Sequence, residues 1–448
     1  MLIVRAPTSP YDTCMKKQQK GFAHHAVLLV VIVVAAVGLV GWRVVSKNRS
    51  GDRTSNSGSS GNKKGGVDLG NLSSTDPVTK GKSLANGQCT GEGSTSLTHA
   101  PMDAKDLEVI EPYGLMVGGH VTPVDHQYYW GLGENSSPAD KYPVYATADG
   151  VITGVELDSS SGLPKWFVIL SHSCTFFSWY NLMTSLAPDI KSQLPAGWGP
   201  NSNGGVKISV KSGQVIGYVG GQSLDFAVWD TTKNLTKLLY PVAYNVSESW
   251  KVNTALPLDY FSEAVRSQVL PKYIRTAEPR DGELAYDVSG QAVGTWFMDG
   301  TNGYAGNGQP GMSGYWKGHL SLAYDFIDTS AMEVSVGDYQ GQPTQFAVKG
   351  GTDWKKITPD SGVVKVELAQ LNRVTGSGST WTGSYAAGIK VQPGPTQATA
   401  LLQMTGKDAL KFEVFPGKTP AQVSGFDSNA KTYNRGQDAH IIPSTTAK

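Results

Sequence analysis

The chain has 448 residues, which is enough for two or three domains with a sizeable buried core. Lys and Arg number 38 and Asp and Glu 37, a net charge of +1, so the basic excess typical of nucleic-acid-binding proteins is missing and we expect no nucleic-acid partner. Only 17% of the residues are charged, and the 53 glycines favour a β-rich chain with many turns, a composition common in exported proteins.

The N-terminal segment predicts one membrane-spanning helix. Residues 1–25 are polar and carry several basic side chains, whereas Ala26 to Trp42 contain no charge over 17 positions, the lower limit for a span. Apolar neighbours extend the run, so we assign residues 26–45 to a transmembrane helix. The alternatives are a buried core helix, a cleaved secretory signal, and a processing site at Lys20 to Phe22 that resembles those of prepilins.

Residues 46–93 are rich in Ser, Gly, Asn, Lys and Thr without apolar periodicity, which predicts a flexible tether. Basic residues flank the apolar run on both sides, so their distribution does not fix its orientation. Large domains translocate largely regardless of such charges. We therefore expect a single-pass protein of the cell membrane, with residues 1–25 in the cytoplasm and the C-terminal domains extracytoplasmic.

Three cysteines are too few for a disulfide scaffold. Cys14 precedes the predicted membrane helix, which leaves Cys89 and Cys174 as the two that could meet outside the cell. We predict that these two pair as a disulfide. Two buried thiols are the alternative.

Residues 94–278 form the first predicted globular unit, and its clearest pattern lies near its centre. Val206 to Val210 alternate apolar and polar residues, a Ser-Gly break follows, and Val215 to Val219 continue, which predicts a β-hairpin. A third strand is predicted from Leu224 to Trp229, with its even-numbered apolar residues towards a core. Ser223, Asp225 and Trp229 would then face the other way. Further along, apolar spacing predicts a helix from Leu258 to Leu270.

Three blocks in this unit carry a resemblance to a known family: PVYATADGVITGVE (Pro143 to Glu156), WFVILSHSCTFFSWYNLM (Trp166 to Met183), and VKSGQVIG with LDFAVWD (within Val210 to Asp230). They resemble, in order, the motifs of the lysostaphin/LytM-type zinc metallopeptidases, which cut peptide bonds in bacterial peptidoglycan. The resemblance covers about a third of the chain. It implies a β-sandwich peptidase-fold domain at residues 94–278.

The resemblance also implies a zinc site, with ligands at His120, Asp125 and Asp225. The spacing from His120 to Asp125 is one residue longer than the family's H-x-x-x-D, and Asp225 stands where the family has a histidine. Asn181 and Ser223 occupy the positions of the two histidines that assist the attacking water. Neither side chain accepts a proton at neutral pH, so we expect no hydrolysis and no tightly held cofactor. A bound zinc ion is expected only under the alternative that the domain is an active peptidase.

Aromatic residues cluster in the same blocks, and most should belong to the core. Trp179 and Trp229, however, are predicted to share faces with Asn181 and Asp225. With His126 and His172 they would line a groove suited to holding glycan or peptide without cutting it. His172 is first a structural residue in this interpretation, with a role for it or for His126 as a substitute base as the alternative.

Residues 279–448 predict a separate β-rich domain. Eight strand candidates are bounded by Gly, Pro and Asp-Gly turns and indicate a sandwich or closed barrel. These are Gln291–Met298, Leu320–Phe326, Glu333–Val336, Gln345–Val348, Val363–Leu368, Tyr385–Val391, Ala398–Met404 and Leu410–Phe415. Gly294 to Trp296 resemble the G-x-W of lipocalins.

The fold class predicted is therefore all-β, with a LytM-like sandwich and a C-terminal β domain behind one transmembrane helix. The predicted function is that of a membrane-anchored extracytoplasmic protein with a degenerate peptidase domain. Its expected partners are a cell-wall glycan or peptide, or an envelope hydrolase. The alternatives are an active zinc peptidase acting on peptidoglycan and a structural envelope protein.

Overall fold

The computed structural model describes residues 74–159, 162–200, 202–245, 247–306 and 314–435. The predicted cytoplasmic segment, the membrane helix and the first part of the tether lie outside these ranges. Within them, no helix is long and apolar enough to cross a membrane. Residues 74–93, which the sequence assigned to the tether, are instead folded, and they include a helix whose Leu84 is buried.

The described ranges are mostly β-structure. The helices are α1 (Pro77–Leu84), α2 (Pro188–Lys191) and α3 (Glu263–Val269). The strands of the first part of the chain are β1 (Leu107–Glu111), β2 (Gln127–Gly131), β3 (Tyr142–Tyr145), β4 (Gly150–Asp158), β5 (Lys165–Ser171), β6 (Phe176–Met183), β7 (Ser185–Leu186), β8 (Asn203–Val210), β9 (Val215–Val219), β10 (Leu224–Asp230) and β11 (Thr254–Ala255). Those of the second part are β12 (Gly294–Met298), β13 (His319–Tyr324), β14 (Met332–Tyr339), β15 (Gln342–Val348), β16 (Val364–Gln370), β17 (Arg373–Val374), β18 (Lys390–Val391), β19 (Thr396–Gly406), β20 (Ala409–Pro416) and β21 (Lys431–Asn434).

The first eleven strands form two antiparallel sheets. The larger has the order β1-β2-β10-β6-β5-β4-β8, with β11 added beside β10, and the smaller has the order β3-β9-β7. One core contains side chains of both sheets, including Leu224, Phe226 and Val228 of β10 and Ile216 of β9. The two-residue period therefore predicted correctly which face of β10 points into the core.

The predicted hairpin between β8 and β9 is wrong, although both strands exist. β8 pairs with β4 in the larger sheet, whereas β9 pairs with β3 and β7 in the smaller one. The turn between them is held to Ala146, which directly follows β3. The Gly213 amide donates to the Ala146 carbonyl and the Ala146 amide donates to the Gln214 carbonyl, both at 2.9 Å. Gly213 adopts a φ of +77°, which suits a tight corner between sheets.

The predicted helix from Leu258 is shorter than expected. Pro257–Asp259 form a 3-10 turn, and α3 begins only after Ser262, whose hydroxyl accepts a hydrogen bond from the Val265 amide. Phe261 is buried in the core without being helical. Its burial follows from the chain packing on the sheet, so apolar spacing overestimated the helix.

A closed antiparallel barrel forms the second part of the structure. β12, β13, β14, β15, β16, β19, β20 and β21 follow one another around it, and β21 pairs with β12 to close it. Seven of the eight predicted strands are present. Tyr385–Val391 is not a barrel strand, because only Lys390–Val391 are extended and they pair with β17 in an excursion between β16 and β19. The closing strand β21 escaped prediction because Tyr433 is its single apolar residue.

The Gly-Thr-Trp motif lies where the barrel begins. Trp296 is buried among the interior residues, and the Arg435 guanidinium lies 4.0 Å from the centre of its ring. Arg435 also donates to the carbonyls of Val288 and Gln291. At Gly294 (φ +127°) a Cβ atom would be 2.1 Å from the Asp287 carboxylate, so only glycine fits there.

Candidate functional site

The candidate site lies on the face of the larger sheet that points away from the shared core. On the central strand β10, Asp225 pairs directly with Tyr128 of β2 and with Asn181 of β6. Directly paired residues of antiparallel strands point to the same face. The register therefore brings residues from three separate sequence blocks into one row.

His126, which immediately precedes β2, lies between two carboxylates. Its Nδ1 is 3.4 Å from Asp125 Oδ1, and its Nε2 is 3.6 Å from Asp225 Oδ2. The ring of His120 approaches the His126 ring edge-on, with centroids 5.6 Å apart. All four side chains are buried, at 0–6% exposure. The structure thus gathers the three candidate zinc ligands around a histidine that the sequence had placed in a groove.

The protonation of this cluster follows from burial and from the close pairs of charges. Burial lowers the pKa of His120 to about 3, so its ring is neutral. Burial also opposes charge on His126, but the Asp225 and Asp125 carboxylates raise its pKa above the usual value. Burial raises the pKa of Asp225, whereas Lys251 and His126 outweigh burial at Asp125 and lower its pKa.

Two further charged residues, Glu248 and Lys251, belong to this cluster and were missed from the sequence. Lys251 is buried, with Nζ 3.5 Å from Thr122 Oγ1 and 5.0 Å from the centre of the Tyr304 ring. Burial raises the pKa of Glu248 to about 7 despite the nearby Lys251. The sequence did offer an indication of their role, because Glu248 and Lys251 are the only two charged residues between positions 237 and 259.

Several buried polar atoms at the site have no hydrogen-bond partner among the described residues. They are His120 Nε2, His126 Nε2, Asn181 Nδ2, Asp225 Oδ2, Trp179 Nε1 and Trp229 Nε1. Buried polar atoms are rarely left unpaired in folded proteins, and such atoms are usually satisfied by water, an ion or a ligand. A group of such atoms in one place indicates a candidate binding site rather than ordinary core packing.

The side chains do not fit a zinc ion in this arrangement. Zinc ligand atoms lie about 2.0–2.2 Å from the metal, so two ligands of one tetrahedral ion are roughly 3.3–3.6 Å apart. His126 Nε2 and Asp225 Oδ2 come near that separation. Asp125, however, contacts the other side of the His126 ring. Among the residues that the structure describes, no group of three or more His, Cys, Asp or Glu side chains is arranged to hold a metal.

Asn181 and Ser223, the two residues that the motif resemblance aligns with histidines, are each held by a neighbouring group. Asn181 Oδ1 accepts a hydrogen bond from the Leu182 amide at 2.8 Å, and Leu182 adopts the left-handed region, with φ +64°. The Ser223 hydroxyl donates to Asp225 Oδ1 at 3.2 Å. Neither side chain therefore supplies a base to this cluster.

The aromatic residues predicted to line a groove are covered. Trp229 stacks on Trp250 with centroids 5.5 Å apart, and Trp179 contacts both Trp229 and the His126 ring. A second hydrophobic cluster, with Leu84 among its members, packs on this face. The groove is therefore filled, because the chain after β10 and the segment before β1 fold over the sheet.

His172 lies away from the other site residues. It follows β5, and its Nδ1 is 2.9 Å from the Asp149 carbonyl while its Nε2 is 2.8 Å from Ser178 Oγ. Burial lowers the pKa of His172 to about 4. Both ring nitrogens thus have partners in a strand-end turn. The residue borders a separate surface cleft that also includes Lys211.

The barrel covers the turn that carries His120. The Gln345 side chain accepts from the Gly118 amide at 3.0 Å and donates to its carbonyl at 3.1 Å. At Gly119 a Cβ atom would lie 2.9 Å from the Trp316 ring. The Tyr304 hydroxyl reaches Glu248 from the same side. The candidate centre is therefore enclosed between the larger sheet and the barrel.

Cys89 and Cys174, the pair predicted from the sequence, form a disulfide with Cα atoms 5.0 Å apart. Cys89 follows α1, and Cys174 lies in the turn between β5 and β6. Close packing accompanies the bond, since a Cβ atom at Gly81 of α1 would overlap the Cys174 carbonyl. The disulfide therefore joins the folded N-terminal segment to the larger sheet.

Fold and site define a β-rich protein in which a barrel encloses a polar centre on a neighbouring sheet. Neither protein-family models nor curated protein sequences match the chain. Among solved structures it is similar to Helicobacter pylori Csd3, at 20% identity over 31% of this chain and 32% of that one, with a TM-score of 0.20. It is also similar to lysostaphin in solution, at 11% identity over 76% and 91% of the two chains, with a TM-score of 0.22.

The antimicrobial peptidase lysostaphin from Staphylococcus simulans gives 12% identity over 68% of this chain and 100% of the other, with a TM-score of 0.22. This chain spans about a third of the length of the Csd3 chain. TM-scores near 0.2 correspond to limited superposition. The family likeness therefore rests on the sequence motifs.

Proposed function

We propose that this chain is a membrane-anchored extracytoplasmic protein whose LytM-like region, residues 94–278, does not hydrolyse peptidoglycan. In this proposal it binds a cell-wall component or regulates a partner hydrolase. The observation that carries the proposal is the enclosure of the candidate centre, where His120, Asp125 and Asp225 are at most 6% exposed.

The chemistry of the centre supports loss of hydrolysis. A positioned general base contributes typically 10²–10⁴-fold to a rate. Asn181 and Ser223 occupy both base positions, and each is held by a neighbouring group. An additional carboxylate at Asp225 would also make a bound metal a weaker acid towards water than a site with one fewer carboxylate.

Access to the centre supports the same conclusion. A peptidase must admit a polymer segment to its metal, and ligand sites are ordinarily open clefts. Here Gln345 and Trp316 of the barrel hold the turn before His120, and Trp250 covers the adjacent face. Binding to wall or partner would therefore use a surface outside this centre.

The test is hydrolysis of purified cell walls by the full-length protein in mild detergent with excess zinc. We expect no release of soluble peptides or new amino groups. A His120→Ala variant and a chelator-treated sample serve as matched controls. Release that disappears in both controls would overturn the proposal.

An active zinc peptidase is the second candidate, and one observation favours it. His120 Nε2, His126 Nε2 and Asp225 Oδ2 are buried and make no hydrogen bond among the described residues, although His126 Nε2 and Asp225 Oδ2 lie 3.6 Å apart. An ion bound to them would satisfy these atoms. Stoichiometric zinc in the protein, measured by elemental analysis after purification without added metal, would support this candidate. Zinc without activity would leave the first proposal standing.

A further inference from the structure

An excursion between β16 and β19 projects from the barrel as a hairpin, which we call the neutral hairpin (residues 373–391). Between its two basic residues, Arg373 and Lys390, the sequence VTGSGSTWTGSYAAGI contains no charged side chain. β17 and β18 pair at its base, and Val374 forms a further bridge with Thr380. The neutral hairpin is therefore structured rather than a loose loop.

Ion pairs fix the base of the neutral hairpin to the barrel. Arg373 Nε is 2.6 Å from Asp325 Oδ2, and its Nη2 is 3.0 Å from Glu333 Oε1, with both carboxylates buried. On the other arm, Lys390 Nζ is 3.0 Å from Asp328 Oδ1. A surface fixed in advance loses less conformational entropy when it binds a ligand.

Two aromatic residues lie along the neutral hairpin. Trp381 packs against a cluster that contains Ile389 and Val109 while keeping part of its surface in solvent. Its indole Nε1 donates to the Ser384 carbonyl at 2.7 Å, which fixes the ring. Tyr385, four residues on, is 49% exposed. An amphipathic ring that is fixed on one side and open on the other is suited to stacking.

The residues around these rings are small and rich in hydroxyl groups. Ser377, Ser379, Thr380 and Thr382 are exposed. Such side chains donate and accept hydrogen bonds at little cost in side-chain entropy. They are too small to exclude water around a buried anchor, which a protein–protein hot spot requires.

We propose that the neutral hairpin binds the N-acetylated amino-sugar backbone of the cell-wall glycan strand, with sugar rings stacked on Trp381 and Tyr385. The hydroxyl groups beside them match the hydroxyl and amide groups of such a strand. Because this surface carries no charged side chain, an uncharged ligand can bind to it without the energetic cost of removing water from a charged group. The inference rests on the proposed function and specifies where the wall component binds.

The test uses full-length protein in mild detergent and tetra-N-acetylchitotetraose, a neutral amino-sugar tetramer, followed by tryptophan fluorescence and calorimetry. We expect saturable binding that Trp381→Ala and Tyr385→Ala each weaken at least tenfold. Val363→Ala is the matched control, because Val363 is 52% exposed and lies outside the neutral hairpin. Tyr385 is half exposed, so Tyr385→Ala should leave the melting temperature unchanged. Its effect on binding can therefore be interpreted even if Trp381→Ala disturbs the hairpin.

The wild-type protein failing to bind the tetramer, or binding it equally well in both hairpin variants, would overturn the inference. Co-sedimentation with intact cell walls separates this failure from failure of the proposed function. Wall binding that persists in both hairpin variants would contradict the neutral hairpin as the site and leave a non-hydrolytic wall-binding protein. Hairpin-dependent capture of an envelope protein without binding of the tetramer would also refute the glycan as the ligand.

Discussion

Replacing Arg373 with Met should destabilise the barrel strongly, because the guanidinium joins two buried carboxylates. Asp325 and Glu333 are at most 1% exposed at their side chains, and Arg373 lies 2.6 and 3.0 Å from them. The guanidinium carbon also lies 4.9 Å from the centre of the Phe326 ring. Methionine keeps an unbranched side chain at this position, so the change removes the charge, its hydrogen bonds and its contact with the ring while leaving apolar volume there.

The expected loss in the free energy of unfolding follows from the burial of the two carboxylates that pair with Arg373. Removing one partner of a buried ion pair costs about 3–5 kcal/mol, since an uncompensated charge remains. For a domain of this size, 1 kcal/mol shifts the melting temperature by about 2–4 °C, so the variant should melt roughly 6–20 °C lower. Lys390→Met is the matched control, because Lys390 is largely exposed and its pair with Asp328 should contribute at most about 1 kcal/mol.

The pH dependence of the variant has a definite sign. Burial raises the pKa of Glu333 well above its usual value, and the Arg373 charge opposes this shift. Arg373 also outweighs burial at Asp325 and lowers the pKa of that carboxyl group. Without the guanidinium, the folded-state pKa of Glu333 rises further above its unfolded value, and that of Asp325 rises because burial is no longer opposed. The variant should therefore regain stability as the pH falls from 8 to 5, where protonation neutralises the buried groups.

Thermal unfolding followed by circular dichroism at several pH values measures both effects. Equal melting temperatures for Arg373→Met and Lys390→Met at pH 8 would refute the argument that the buried pairs anchor the neutral hairpin. A second check is Asp325→Asn combined with Arg373→Met, which removes one of the unpaired charges and should restore part of the loss.

Four further outcomes are expected. Thiol labelling of the unfolded, unreduced protein should modify Cys14 alone, and Cys174→Ser should cost about 2–5 kcal/mol; labelling of three thiols would exclude the disulfide. Burial raises the pKa of Asp281 to about 7. The protonated Asp281 side chain therefore stabilises the fold fully below about pH 3.9, and this stabilisation, at most about 4 kcal/mol, is lost as the pH rises to about 7. Denaturant unfolding between pH 4 and 8 should show this slope, and Asp281→Asn should flatten it. Trp229→Ala should cost about 3–5 kcal/mol if its ring is packed as in the structure, and a loss under 1 kcal/mol would contradict that packing. Protease added to intact cells should degrade the C-terminal part, whereas full protection would contradict an extracytoplasmic location.

Strand positions were predictable from the sequence because alternation reports which residues are half-buried. The faces of β10 followed directly from Leu224, Phe226 and Val228. Partners were not predictable, because the same alternation suits a hairpin and a corner between two sheets. The contact of Gly213 with Ala146, far along the chain, decides between them, and no local pattern contains it.

The sequence predicted which residues belong to the candidate centre but not how they are surrounded. Motif positions identified His120, Asp125 and Asp225, and the pairing of strands does bring Asp225 into line with Asn181. Their surroundings depend on Trp316 and Tyr304 of the second part of the chain, which lie 196 and 184 positions after His120 in the sequence. Burial by a distant domain leaves no trace in local spacing, so the sequence predicted a groove where the structure has an interior.

The enclosed centre raises an energetic question, because apolar side chains would fill a buried interface at lower cost than two histidines, three carboxylates and a lysine. The arrangement reduces this cost by alternating charge: His126 lies between Asp125 and Asp225, and Lys251 lowers the pKa of Asp125. Such a network is directional, so it stabilises one orientation of the barrel on the sheet, as Gln345 does at the neighbouring turn. The same residues then hold two parts of one chain in register, and this role requires neither a metal nor access for a substrate, as the proposed function expects.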